Sequence, residues 1–180
     1  MSDLVIANIF SVCTACFTLS STWIADKSKS FFLQVFQCIM YAVASYFFGV
    51  YSAIPAMLLC AVRSYLIAVD KFDLKYCVIF CVLVAVLGIF TNNSGLLGLL
   101  PLIATIQFAL WCFIWKSLLA SKWGILINMI IWVCYEIFVL DIASLIVDTS
   151  NIIVAIAAII RITRMEKPST QKEISSKENS

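Results

Sequence analysis

The sequence predicts an all-α integral membrane protein with seven transmembrane helices, laid out as a 3+1+3 parallel repeat of triple-helix bundles. Three observations carry that expectation. Of 180 residues, 63% are hydrophobic and 12% charged, against roughly 45–50% and about 25% in a soluble domain. Seven runs reach the ~17–25 residues needed to cross a bilayer core of about 30 Å. With seven crossings, all 12 Lys and Arg residues fall on one side of the membrane or at the adjoining helix ends, which marks that side as cytoplasmic.

The spans are expected near 4–24, 31–49, 51–69, 74–91, 96–115, 123–140 and 143–162. The first begins after Asp3 with no basic stretch before it and no small-residue cleavage site, so it reads as an uncleaved span. Asp26, Lys27, Ser28 and Lys29 separate it from the second. A tight turn near Gly49–Ser52, without any charge, must separate the second from the third. Asp70–Asp73 precedes the fourth, which has almost no polar side chain and suits a lipid-facing linker. Asn92–Gly95 and Lys116–Lys122 bound the fifth.

Two sides follow from this count. The loops at 25–30, 70–73 and 116–122 and the tail hold the basic residues, including Lys27, Lys71, Lys116, Lys122 and Arg161; the other side has only Asp3, Asp141 and Asp148. The N-terminus is expected outside and the C-terminus inside. Residues 4–69 form the first three-helix unit, 74–91 the linker and 96–162 the second unit. The tail, 165–180, is polar and mixed in charge and is expected to be disordered and cytoplasmic.

The sixth span holds the sharpest signal. Asn128, Trp132, Tyr135 and Glu136 stand at i, i+4, i+7 and i+8 and share one face of a helix. A carboxylate in lipid costs from ~2.5 to more than 10 kcal/mol, so Glu136 is expected to face protein or a water-filled cavity. The second span has a milder stripe of Gln34, Gln37, Tyr41 and Ser45, and the seventh carries Asn151. Asn8, Ser11, Ala15 and Thr18 are the polar or small face of the first, and small residues let membrane helices approach closely. A shift of 94 residues sets Gln34 against Asn128 and Tyr41 against Tyr135, a repeat of layout more than of copied sequence.

Gln37, Tyr41, Asn128, Trp132, Tyr135, Glu136 and Asn151 are therefore the expected substrate pathway. Arg63, seven residues before the end of the third span, is expected to snorkel to the cytoplasmic surface, with a gate or interface as the alternative. Pro101 lies early in the fifth span, as a hinge or as an ordinary first-turn proline. Trp111, Trp115 and Trp123 flank a basic loop and read as an interfacial belt.

The eight Cys include a Cys13–Cys16 pair and a Cys77–Cys81 pair within apolar runs, without neighbouring carboxylates, and no His occurs. They read as small apolar side chains, and no metal or cofactor is expected. No HExxH, GxSxG or phosphate-binding Gly-rich loop occurs, so an enzyme is not expected, and neither is a nucleic-acid partner.

The short first helix, basic turn, Gln-bearing second span, tight turn and Arg-ended third span resemble the bacterial YgjV-type inner membrane proteins. The 3+1+3 layout also resembles the SWEET and SemiSWEET transporters, in which an aromatic and an Asn line a midplane pocket; Trp132 and Asn151 are the positions this implies here. Cys38 and Met57 stand where the first unit would repeat them. The resemblance implies a small-metabolite transporter of the bacterial inner membrane, working by alternating access on an unidentified small polar solute. The alternative is a non-transporting structural or assembly partner whose polar stripes are helix contacts; a channel past Glu136 is a third. The expected partners are the bilayer and the solute, with a homo-oligomer left open.

Overall fold

The computed structural model describes residues 3–49, 51, 53–91, 96, 99–140 and 142–178. It is all-helical there, with α1 Asp3–Trp23, α2 Lys27–Phe47, α3 Ala53–Ala68, α4 Leu74–Thr91, α5 Leu100–Ile114, α6 Leu118–Val139 and α7 Ile142–Glu178.

Local chemistry sets the ends. Asp26 caps α2 by accepting from the Lys29 N–H, and Ser117 caps α6 by accepting from the Ala120 N–H, each satisfying a donor the helix cannot. The uncharged turn after α2 holds Gly49 at φ +74°, a left-handed conformation that glycine adopts without a Cβ penalty. Asp70 (φ 57°) ends the turn after α3, and Leu140 (φ 58°) ends α6. The Asn92–Gly95 separator and Asp141 lie outside the described residues.

Among the described residues, four helices are long and apolar enough to cross a membrane: Asp3–Trp23, Lys27–Phe47, Leu118–Phe138 and Ser144–Met165. The apolar helices between them are shorter. α3 has 16 residues and α5 has 15, about 23–24 Å at 1.5 Å per residue, below a full hydrocarbon thickness. α7 also runs on as helix to Glu178, across the segment whose composition predicts disorder. A helix already nucleated in the span adds each further residue at small cost.

Packing largely follows the chain. α1 lies on α2 and α2 on α3; α5 lies on α6 and α6 on α7; α4 joins α3 to α5, and α1 meets α7. α2 thus packs between α1 and α3, and α6 between α5 and α7, while α1 approaches α3, and α5 approaches α7, far less closely. One apolar cluster runs from Phe31 and Cys38 of α2 through Cys60 and Ile67 of α3, Phe80 of α4 and Phe108 of α5 to Ile125 of α6. Phe31 and Phe108 stack at 6.2 Å, tying α2 to α5.

An ion pair fixes the turns at one end. Lys27 Nζ donates to Asp70 Oδ1 at 2.8 Å, and this bond and the lysine charge hold the Asp70 carboxyl below its ordinary range. A depressed folded-state value means the contribution is full above the unfolded pKa of ~3.9 and is lost as pH falls through the folded value. Acidification below about pH 4 is therefore expected to lower the thermal midpoint of wild type toward that of Asp70→Asn. Curves that stay parallel to the lowest pH would remove the pair from the stability of this end.

Candidate functional site

Polar residues of α1, α2, α6 and α7 meet inside the protein at one junction, toward the end that carries Lys27 and Lys116. Its centre is Lys122, which is fully buried. Lys122 Nζ donates to the Ser21 carbonyl at 2.8 Å and to Ser30 Oγ at 3.0 Å; Ser30 Oγ in turn donates to the same carbonyl at 2.6 Å. Ser21 lies in the last turn of α1, where carbonyls lack helical partners and the helix end is partially negative. An ammonium is the group such an end accepts. One lysine of α6 thereby closes the end of α1 and holds the start of α2.

A second tie lies beside it. Thr22 Oγ1 donates to Asn151 Oδ1 at 2.7 Å, and Asn151 Nδ2 points to Met129 Sδ at 3.3 Å. Asn151 of α7 is 1% exposed. Arg161 lies over the Trp23 ring at 5.0 Å, again joining α7 to α1. The buried face of α1 is Ala7, Thr14, Thr18, Ser21 and Thr22. Asn8, expected on that face, is exposed and bonds back to the Leu4 carbonyl.

The expected pathway divides. Asn128 is buried and donates to the Ala104 carbonyl at 2.7 Å, so its amide ties α6 to α5. Glu136 is 4% exposed, turned into protein as its cost in lipid requires. Trp132 and Tyr135 are half-buried and meet edge to face at 6.0 Å. On α2 the inward face is Phe31, Gln34, Cys38, Ala42 and Ser45. The predicted stripe is rotated from it: Gln37 is half-buried, and Tyr41 is 46% exposed, on the outer side. Gln34 instead accepts from Ser64 of α3 at 3.4 Å.

Two further expectations change. Arg63 does not snorkel. It is 7% exposed, with its guanidinium 4.8 Å from the Phe108 centroid and 5.3 Å from that of Phe80. The ring faces stand where water was expected. Trp111 is no free belt residue: its Nε1 donates to the Ala120 carbonyl at 2.6 Å, whereas Trp115 and Trp123 remain nearly half exposed. Pro101 sits in the first turn of α5, where a missing N–H costs nothing, and Thr105 donates to its carbonyl at 2.8 Å. A cleft of about 460 Å³ opens beside Asp3, Tyr46, Phe47, Gly49 and Tyr51, at the opposite end of α1 from the Lys122 contact and without a lining residue from α6.

Sequence reasoning placed Lys122 in a solvated loop and passed over Ser21, Thr22 and Ser30. The available signal was the run Ser20-Ser21-Thr22 at a span end with Ser30 just beyond the turn, polar groups that a membrane helix buries only against partners.

A family model described as bacterial inner membrane protein, Imp-YgjV, matches residues 5–166. No curated protein and no solved structure matches the chain. The likeness to SWEET transporters gains no support from these comparisons.

Proposed function

We propose that this chain, which belongs to the Imp-YgjV family of bacterial inner membrane proteins, is a small-solute transporter working by alternating access. As a member with several membrane-length apolar helices it is a multi-pass inner membrane protein. The observation that carries the transport reading is the polar character of the seam between units. Lys122 with Ser21 and Ser30, and Thr22 with Asn151, are contacts that water or solute can replace, unlike an interlocked apolar seam. Exposed apolar side chains run the length of the same helices, from Leu4 and Val12 to Trp23 of α1, from Trp123 to Phe138 of α6 and from Ile146 to Ile160 of α7, as lipid-facing surfaces do. A polar tie between otherwise apolar helices is a contact that a rocking carrier can break and remake. With the basic end cytoplasmic, the solute enters past Tyr135, Glu136 and Trp132 and meets Asn151 at the tie.

A second reading has its own support. The apolar cluster is continuous from α2 to α6, and Asn128 is already bonded to α5, as in a packed structural or assembly partner. Proteoliposome uptake of radiolabelled sugars, nucleosides and amino acids separates the two. Uptake of one class is expected, and Trp132→Ala and Asn151→Ala are expected to abolish it at normal expression. Asn151→Ala should lower stability only by about 0.6–2 kcal/mol, the range for interhelical polar bonds. Normal uptake in both variants removes this pathway; no uptake of any class favours the packed partner.

A further inference from the structure

The second buried cation, Arg63, is chemically incomplete. A guanidinium presents five N–H donors, and the contacts described for Arg63 are two aromatic faces, which attract the charge and accept hydrogen bonds poorly. Its Nε is sealed in protein without a hydrogen-bond partner. Among the described residues the ion pair is Lys27 with Asp70, and no carboxylate reaches Arg63. The groups near enough to feel its charge are thiols: Cys38 of α2, Cys60 of α3, Cys81 of α4 and Cys112 of α5. A cation inside a membrane protein normally pairs with an anion or with carbonyls, and a sealed charged donor such as this Nε is costly to leave unmet.

We propose that the seam of α3, α4 and α5 around Arg63 binds a small oxyanion, of carboxylate or phosphate type, whose two oxygens take the planar fork of the guanidinium. The fork matches such oxygens in a bidentate pair, and the Phe80 and Phe108 rings lie within 5.3 Å and 4.8 Å of it. Arg63 lies five residues before the end of α3, about 7–8 Å of helix, so the anion comes from the basic end. Charge there favours it. Lys71, Lys75 and Lys116 are exposed, and Lys116 is close enough to Asp70 to help hold its carboxylate ionised. Lys122 differs, because two of its donors are already met within the protein. The site does not depend on the transport reading, since binding is measured without uptake.

The test uses the full chain purified in a neutral detergent, with thermal unfolding followed by tryptophan fluorescence at constant ionic strength. One arm titrates inorganic phosphate or acetate against chloride; the other adds phosphatidylglycerol against phosphatidylcholine. Saturable stabilisation is expected in at least one arm: the first identifies a free oxyanion, and a response confined to the second identifies a lipid headgroup. Arg63→Met is expected to abolish the response and Arg63→Lys to weaken binding about tenfold, because a point charge lacks the fork; Lys122→Met should retain it. The proposal fails if no arm stabilises wild type, if the response survives in Arg63→Met, or if it is lost in Lys122→Met instead. Should Arg63→Met not fold, unchanged affinity in Arg63→Lys overturns it.

Discussion

Lys122→Glu is expected to lose about 3–5 kcal/mol, the scale for an uncompensated buried charge, whereas Lys122→Met should stay within about 1.5 kcal/mol of wild type. The wild-type ammonium donates to the Ser21 carbonyl and to Ser30 Oγ with no exposure to solvent. A carboxylate there would face a carbonyl oxygen that can only accept, at the partially negative end of α1. Total stability is typically 5–15 kcal/mol, so the loss would leave little folded protein. Methionine has a similar length and no charge. It also orphans nothing, because Ser30 Oγ still donates to the Ser21 carbonyl. The desolvation cost of the ammonium disappears together with its bonds, which is why a buried charge is poor evidence of net stability. Detergent-solubilised thermal unfolding measures both. If Lys122→Glu unfolds at the wild-type temperature, the ammonium does not occupy this junction.

The next largest effect is expected at Gly124. A Cβ on this residue would stand 2.6 Å from Cδ1 and 3.1 Å from Cγ of Trp111. The indole cannot swing aside cheaply: its Nε1 is bonded to the Ala120 carbonyl, and its ring lies 4.3 Å from that of Trp115. Gly124→Ala is expected to cost about 1–3 kcal/mol by overpacking, and Gly124→Leu more. Trp111→Leu alone also destabilises, through the lost bond and ring contact. Combined with Gly124→Leu, it should recover part of the loss, with a coupling energy between about 0.5 and 3 kcal/mol. Strictly additive losses would mean that α5 and α6 are not in contact at this pair.

The residues that sequence reasoning read well are those whose signal is local. The break expected near Gly49 falls at a residue in the left-handed region, and the separator beginning at Asp26 falls at the start of α2. α4 occupies Leu74–Thr91, the range expected for the fourth helical segment. Glu136 turns into protein because its cost in lipid leaves no alternative. Tyr41, Arg63, Trp111 and Lys122 were misplaced for one shared reason. Each has a long side chain near a face boundary or a span end, where a small helix rotation, or a ring on another helix, decides between inside and outside. On α2, stripes 34/37/41/45 and 34/38/42/45 are both helical, and only packing against other helices, chiefly α1 and α3, selects the second.

By itself the sequence determined the membrane class, the helical segments and the concentration of basic residues at one end, because helix length, hydropathy and charge placement act along the chain against lipid and water. Only the tertiary structure decided which polar groups meet. The placing of Lys122 on the end of α1, Asn151 on Thr22, and Arg63 between Phe80 and Phe108 depends on helices distant in the chain. Inside a membrane protein these contacts arise from close packing and hydrogen-bond satisfaction, and neither has a period that one segment can display.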